Sequence, residues 1–278
     1  MTDATRRAVL AERAARAGGV VANETFREAL TVETKADKND VVTEADRDAQ
    51  HQVVATIRQE FPDDALVCEE EGPMPGVDDA DLLDAVPETG PAWVVDPIDG
   101  TANYVRGIRF WGTSVAAVVD AEPVGAATYM PAEQDIYTAS PESVTLNGST
   151  MAVSDRDDPE TFMTGLLGWW PMHGGDTYAS LFDAARSRFG DVRRMGSLQG
   201  VLALVAAGSL DAGFMPETPH PWDAIAGVHM IRRAGGTATD VHGERWRHDS
   251  EGLVVSNGEA HDVVLDAVQD GAAVEAAD

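Results

Sequence analysis

Residues 92–101 read Ala-Trp-Val-Val-Asp-Pro-Ile-Asp-Gly-Thr. The first four residues are an apolar run of the kind that forms a short buried strand. Asp96 and Asp99 follow at once, so that two carboxyl groups stand where the strand ends. Pro97 fixes its own φ angle and favours an extended conformation at Asp96, which makes the turn rigid. The stretch therefore predicts a preformed acidic turn at the end of a buried strand.

The residue types in this turn suit hard cations together with a phosphate group. Gly100 lets the backbone approach a ligand closely, and the N–H groups of Gly100 and Thr101 can face an anion. Carboxylate oxygens are preferred ligands of Mg²⁺. Cations and a phosphate held side by side are what metal-assisted phosphoryl transfer to water requires. We interpret Asp96–Thr101 as a functional site rather than as an ordinary capped turn.

The chain is strongly acidic, which limits its partners. It has 278 residues with 20 Lys and Arg against 48 Asp and Glu, a formal net charge of −28. Such a surface repels nucleic acid phosphates and anionic membranes, so we expect neither as a partner. Only Lys35 and Lys38 are lysines. This composition is typical of halophilic proteins, whose repulsion is screened by molar salt. The alternative is an acidic mesophilic protein from a GC-rich genome.

Cysteine content and hydropathy indicate the compartment. Cys68 is the single cysteine, so an intrachain disulfide framework is excluded. No run approaches the roughly 18 apolar residues that cross a bilayer, and the N-terminal residues lack the apolar segment of a secretory signal. We therefore expect a cytoplasmic protein, and its 44% hydrophobic residues suffice for a sizeable core.

Apolar patterns predict helices and strands along the whole chain. We expect an α+β N-terminal lobe, residues 1–150, and an α/β C-terminal lobe, residues 151–278, packed into one unit. The lobes would meet after Asn147-Gly148. The predicted elements of the first lobe are a helix over 4–29, a polar loop over 31–42, a helix beginning after Thr43, and strands over 65–68, 92–95, 113–119, 124–129 and 135–139.

Three other acidic motifs are weak when each is taken alone. Glu69-Glu70-Glu71 follows a predicted strand and could be a solvated turn. Asp223 follows Pro221-Trp222 in the first turn of a predicted helix, where the helix dipole favours a carboxylate. Asp46 follows Thr43, a residue typical of helix N-caps. The order of these motifs along the chain, with the Asp96–Thr101 turn between them, makes them informative.

In this order the motifs resemble those of the inositol monophosphatase family of metal-dependent, lithium-sensitive phosphatases. The resemblance covers nearly the whole chain, and the Asp96–Thr101 hexapeptide is specific to a wider superfamily that includes fructose-1,6-bisphosphatases and nucleotide 3′-phosphatases. It implies a layered αβαβα sandwich. The segments that carry it are Val42–Asp46, Glu69-Glu70, Asp96–Tyr104, His220–Asp223 and Gly235-Gly236.

The resemblance implies two or three bound Mg²⁺ ions, for which Mn²⁺ can substitute. The family's first hexapeptide Asp, here Asp96, bridges two ions. The family also has a metal-binding Glu directly after the preceding strand. This position matches Glu69, although Glu70 remains an alternative. The ligands implied are Glu69, Asp96, the carbonyl oxygen of Ile98, Asp99 and Asp223.

The resemblance also implies catalytic and substrate-binding residues. Thr101 and Asp46 match the pair that activates the attacking water. Lys35 matches a substrate-side lysine, and Glu217 lies one position out of register with a Glu that binds a substrate hydroxyl. The substrate-binding residues implied are Lys35, Asp99, Gly100, Thr101 and Glu217.

We therefore expect Mg²⁺-dependent hydrolysis of a small soluble phosphate monoester, of the inositol 1-phosphate or fructose 1,6-bisphosphate type, by a metal-activated water. Asn103-Tyr104 after the hexapeptide favours this branch over nucleotide 3′-phosphatases of the 3′-phosphoadenosine 5′-phosphate type. A catalytically inactive metal-binding homologue is another alternative. The resemblance also implies a homodimer.

The net charge of −28 leads to a first prediction. Lowering KCl from about 3 M to about 0.1 M should lower the melting temperature, because the Debye length grows and the carboxylates repel each other more strongly. Calorimetric melting at several KCl concentrations measures this. An unchanged melting temperature would contradict the halophilic interpretation.

Overall fold

The structure, a computed structural model, describes residues 1–28, 32–34, 41–74, 76–168 and 176–273. Within these ranges no helix combines the length and the apolar character needed to cross a membrane. The elements form a seven-stranded sheet, a five-stranded sheet and a two-stranded ribbon, with helices packed against the two larger sheets.

The N-terminal segment forms two helices joined through a short ribbon. Its elements are α1 (Asp3–Glu24), β1 (Val32–Thr34), β2 (Val41–Thr43) and α2 (Glu44–Arg58). The prediction of a helix to residue 29 was wrong by five residues, and Arg27 just beyond α1 has a left-handed φ of 70°, which a helix does not contain. The predicted loop over 31–42 contains β1 and part of β2, which pair antiparallel.

The seven-stranded sheet has its strands in sequence order. Only β3 and β4 run parallel, and the other neighbours are antiparallel, as expected for the meander. Asn147-Gly148 forms the turn between the last two strands, and both residues have positive φ. The strands are β3 (Ala65–Cys68), β4 (Pro91–Asp99), β5 (Gly112–Val119), β6 (Glu122–Met130), β7 (Asp135–Ala139), β8 (Val144–Leu146) and β9 (Ser149–Thr150). Helix α3 (Thr101–Val105) follows β4 after the single residue Gly100.

The five-stranded sheet is formed by later residues and has the order β11-β10-β12-β14-β13. Strand β10 pairs parallel with both of its neighbours, and the remaining pairs are antiparallel. Its strands are β10 (Met163–Leu166), β11 (Asp191–Arg193), β12 (Ala212–Met215), β13 (Thr237–Thr239) and β14 (Leu253–Ser256). The accompanying helices are α4 (Asp176–Arg186), α5 (Leu198–Ala206), α6 (Pro221–Arg233) and α7 (His261–Ala273).

Alternating side chains of β4 show how the layers are built. Trp93 and Val95 point into the core that β4 shares with α1 and α2, whereas Val94 points into the core that β4 shares with α5 and α6. The five-stranded sheet covers the other side of α5 and α6 and packs α4 and α7 on its outer face. The layers are thus α1/α2, the first sheet, α5/α6, the second sheet and α4/α7. This confirms the αβαβα sandwich.

Candidate active site

The acidic turn is built on a bulge at the end of β4. Asp96 pairs with Ser114 of β5 and Asp99 pairs with Gly112, so three steps on β4 match two steps on β5. The hydroxyl of Thr113 donates a hydrogen bond to the Pro97 carbonyl at 2.7 Å. A bulge bends its strand and redirects side chains. This one holds both carboxylates of the turn at one end of the sheet.

Gly100 allows the turn to approach the second half of the chain. Its φ is 91°, which favours glycine. A Cβ atom at this position would lie 3.0 Å from the Gly196 carbonyl oxygen and 3.1 Å from the Ser197 Cβ. Any larger residue would therefore push residues 196 and 197 away from the turn.

Asp99 caps the N-terminus of α5 through both of its carboxylate oxygens. The Ser197 hydroxyl donates to Oδ2, and the backbone N–H groups of Leu198 and Gly200 donate at 3.0 and 3.1 Å. Burial raises the pKa of Asp99 to about 6, while these three hydrogen bonds act in the opposite direction. The carboxylate thus connects β4 of the first sheet with a helix of the second half.

The carboxyl groups of Asp96, Asp99 and Asp223 lie close together. One oxygen atom from each of Asp96, Asp99 and Asp223 lies within 4.8 Å of the others. Asp96 is buried, and its Oδ1 accepts no hydrogen bond from any residue that the structure describes. Burial, followed by the charges of Glu69, Asp99 and Asp223, raises the pKa of Asp96 well above its ordinary value. Bare carboxylates at this spacing repel each other, and bound cations would remove that repulsion.

The backbone after β3 determines which glutamate faces this cluster. The side chain of Gln50 on α2 is buried and binds Glu70 twice: its amide donates to the Glu70 carbonyl at 2.7 Å and accepts from the Glu70 N–H at 3.0 Å. Glu69 lines the cavity that contains Asp96, and Glu70 is not among its lining residues. The structure thus places Glu69 beside the carboxylate cluster.

Thr101 and Asp46 are in contact although 55 residues separate them. The Thr101 hydroxyl lies 3.1 Å from Asp46 Oδ1 and 3.0 Å from the Ile98 carbonyl oxygen. The other Asp46 oxygen accepts from the Thr43 N–H at 2.8 Å and from the Thr43 hydroxyl at 2.6 Å. Burial raises the pKa of Asp46 to about 7. Asp46 therefore caps α2 with one oxygen and contacts Thr101 with the other.

A cavity of about 340 Å³ opens over the cluster. It lies within the size range of about 300–1,000 Å³ that is typical of small-molecule sites. Its lining contains Glu69, Asp96, Ile98, Asp99, Gly100, Thr101 and Asp223, together with Asn103, Arg106, Arg194 and Ser197.

The described residues that line this cavity do not include two of the predicted substrate residues. Lys35 lies outside the described residues. Glu217 is exposed, does not line the cavity, and accepts a hydrogen bond from the Tyr178 hydroxyl.

Sequence reasoning missed the residues that support the cluster. Ser197 is the N-cap of α5, but nothing in the sequence connects it with Asp99, 98 residues earlier. Asn103 donates to the carbonyl oxygens of Phe110 and Met195 at 2.7 and 2.8 Å and so joins two segments of the cavity wall. A buried glutamine such as Gln50 carries no motif.

Comparisons with known proteins show relatives that match nearly the whole chain. A sequence model of the inositol monophosphatase family matches residues 3–272. A fructose-1,6-bisphosphatase/inositol-1-monophosphatase of Thermotoga maritima is 32% identical over 241 residues, 86% of each chain. A protein named Nus factor SuhB, from Pseudomonas aeruginosa, is 30% identical over 269 residues, 94% of each chain.

The shared fold extends over the same length. A solved structure of a Thermotoga maritima IMPase has a TM-score of 0.85 at 28% identity and covers 98% of this chain and 99% of its own. A family match over residues 3–272 and a relative 32% identical over most of both chains lead to one conclusion. The chain is a member of the inositol monophosphatase family.

Proposed function

We propose that this protein is a Mg²⁺-dependent phosphatase that hydrolyses a small phosphate monoester by attack of water. The observation that carries the proposal is the convergence of Asp96, Asp99 and Asp223 within 4.8 Å, with a buried Asp96 oxygen that lacks a hydrogen-bond partner among the described residues. Buried carboxylates at this spacing are costly unless they are protonated or bind cations.

The donor set fits hard divalent cations. Mg²⁺ and Mn²⁺ take oxygen ligands from carboxylates and carbonyls. Two or three ions would be held by Glu69, Asp96, the Ile98 carbonyl, Asp99 and Asp223. When bound, they would supply positive charge that polarises a phosphoryl oxygen and lowers the pKa of water.

The residues after the cluster are suited to hold the reacting phosphate. Gly100 precedes α3, and Thr101 is its first residue. The first N–H groups of a helix have no partner within the helix, so they are available to an anion. A phosphate at these N–H groups would lie beside the carboxylate cluster, so the phosphate and the cations would share one cavity.

Thr101 and Asp46 provide a path for the proton of the attacking water. The Thr101 hydroxyl can accept a proton only if it gives up its own. Asp46 Oδ1, 3.1 Å away, is the carboxylate that can take this proton, since the Ile98 carbonyl oxygen at 3.0 Å is too weak a base. A pKa of about 7 suits a carboxylate that accepts a proton near neutral pH.

The substrate we favour is of the inositol 1-phosphate or fructose 1,6-bisphosphate type, with a nucleotide 3′-phosphate as the alternative. Lys35 would contact the leaving group. A second candidate function is a binding role without catalysis. It is favoured by one observation, the name Nus factor given to a relative 30% identical over 94% of both chains.

The remaining proposals concern the oligomeric state, the cellular location and the partners of the protein. We propose a homodimer in the cytoplasm of a halophile, with the 278 residues acting as one catalytic unit and without nucleic acid or membrane partners. The acidity of the chain supports the last two points, because −28 charges repel polyanions.

The direct test of the function is phosphate release from sugar, inositol and nucleotide phosphates in molar KCl. We expect release with Mg²⁺ or Mn²⁺, loss of release after chelation, and inhibition by Ca²⁺, which binds oxygen ligands with a looser geometry. Asp96→Asn should abolish release while the circular dichroism spectrum stays unchanged. Full activity after exhaustive chelation would overturn the proposal, and no release from any ester would favour the binding role.

A second prediction concerns stability without metal. The pKa of Asp96 is raised in the folded state, so this group favours folding below its ordinary pKa of about 4 and loses that contribution as the pH rises. In chelator, Asp96→Asn should therefore raise the melting temperature more at about pH 8 than at about pH 5.

The matched control for this experiment is Asp63→Asn, which removes the same charge from an exposed side chain. It should change the melting temperature little at either pH. If Asp96→Asn raises the melting temperature no more than the control does, charge repulsion within the cluster does not destabilise the folded protein.

A third prediction separates the two roles of Asp46. Thr101→Val and Asp46→Asn should each lower kcat by about 10²–10⁴-fold, because either change interrupts proton transfer. The double variant should be little slower than either single variant, since residues that act as a unit are not additive. The amide introduced by Asp46→Asn keeps an oxygen that can accept from Thr43, so the helix cap survives. Fully multiplicative losses of kcat, or Asp46→Asn turning over normally, would remove Asp46 from the mechanism.

A further inference from the structure

The side chain of Gln199 joins helices α5 and α6 in the interior of the protein. It is fully buried. Its amide nitrogen donates to the carbonyl oxygen of Trp222 at 2.6 Å, and its side-chain oxygen accepts from the N–H of Gly227 at 2.8 Å. Both partners belong to α6, and they lie on either side of Asp223 in the sequence. Gln199 therefore binds the part of α6 that carries one carboxylate of the acidic cluster.

The same turn of α5 holds Asp99. The N–H groups of Leu198 and Gly200, the residues on either side of Gln199, donate to the two carboxylate oxygens of Asp99. One helical turn thus binds Asp99 through its backbone and α6 through a side chain. Three consecutive residues therefore connect the Asp99 carboxylate with the backbone that carries Asp223.

Gly227 brings the two helices close enough for these hydrogen bonds. A Cβ atom at position 227 would overlap the Cβ atom of Leu202 and would lie 3.0 Å from the side-chain oxygen of Gln199. Any larger residue would therefore separate α5 from α6. Because the helices are in direct contact here, the buried amide has little room to move.

The two hydrogen bonds also involve the backbone of α6 around Asp223. In a regular α-helix, the N–H of Gly227 donates to the carbonyl oxygen of Asp223, and the carbonyl oxygen of Trp222 accepts from the N–H of residue 226. Gln199 binds this donor and this acceptor, so it competes with regular helical hydrogen bonds. Without the amide, α6 could still form its regular bonds, but its first turns would lose their connection to α5.

We propose that Gln199 is a positioning residue for Asp223. It holds the Asp223 carboxylate beside Asp96 and Asp99, so that one oxygen atom from each can contact the same cation. This inference rests on the proposed function, because the cation belongs to that function. Groups that orient a metal ligand without touching the metal typically change metal affinity by about 10–100-fold when they are removed.

The test is titration calorimetry of Mg²⁺ into metal-free Gln199→Met at constant KCl. Methionine is unbranched like glutamine, but it has no hydrogen-bond donor and only a weak acceptor. The affinity for at least one Mg²⁺ ion should fall by about 10–100-fold. The Mg²⁺ concentration that gives half-maximal phosphate release should rise by the same factor, whereas kcat at saturating Mg²⁺ should recover to within about threefold. A role in stability alone would not produce this division between Mg²⁺ affinity and kcat.

The matched control is Asn257→Leu, which also removes a buried amide that binds the backbone. Asn257 donates to the carbonyl oxygen of Arg156 at 2.8 Å and does not line the cavity. This variant should lower the melting temperature and leave the Mg²⁺ affinity unaltered. An equal loss of Mg²⁺ affinity in both variants would show a general effect of destabilisation and overturn the positioning role.

A second variant keeps the test decisive if Gln199→Met does not fold. Gln199→Asn retains the amide but shortens the side chain by one methylene group, so the amide cannot reach both of its partners on α6. It should weaken Mg²⁺ binding in the same direction. Unaltered Mg²⁺ affinity in this variant would overturn the inference.

The outcomes also separate this inference from the proposed function. Normal Mg²⁺ binding by Gln199→Met, together with loss of binding in Asp96→Asn, would overturn the inference and leave the phosphatase standing. Mg²⁺ binding that depends on Gln199, in a protein that releases phosphate from no ester, would support the positioning role and favour the binding function. If the unaltered protein binds no Mg²⁺, both the proposed function and the inference are wrong.

Discussion

The hydrogen bonds of the Asp99 carboxylate connect the two halves of this fold. Asp99 stands at the end of β4 in the first sheet, and it accepts three hydrogen bonds from the N-terminal turn of α5. The cap satisfies donors that a helix N-terminus leaves free. It also holds Asp99 within 4.8 Å of Asp96 and Asp223, which belongs to the neighbouring helix α6. These hydrogen bonds, which add to the apolar core between the layers, therefore also help to assemble the acidic cluster.

Under the proposed function, this arrangement gives up folding stability in order to bind ligands. Burial raises the pKa of Asp46, Asp96 and Asp99, so each carboxylate is costly to ionise in the folded protein. The surrounding structure keeps these carboxylates in their buried positions. The contacts that do so are the bulge in β4, the left-handed Gly100 and the hydrogen bonds between Gln50 and Glu70. Groups held rigidly in this way would need little rearrangement to bind the proposed cations and phosphate.

Local features were predictable from the sequence because short-range rules govern them. The strand before Asp96 and the cap at Thr43 follow from residue type and spacing, and the structure contains both. The turn predicted from Asp96 was wrong, because β4 continues through a bulge to Asp99. Long-range partners were not predictable. Neither the bonds between Asp99 and Ser197 nor those between Gln50 and Glu70 leave a local signal. The end of α1 was misjudged because the apolar pattern continues past Glu24, whereas Arg27 has a left-handed conformation.

The central claim is that the carboxylates around Asp96 bind divalent cations. Titration calorimetry of Mg²⁺ into metal-free protein, at constant KCl, measures this directly. The account predicts saturable binding of at least two ions by the unaltered protein, and loss of that binding in Asp96→Asn while Asp63→Asn binds normally. The same affinity and stoichiometry in the unaltered protein and in Asp96→Asn would contradict it.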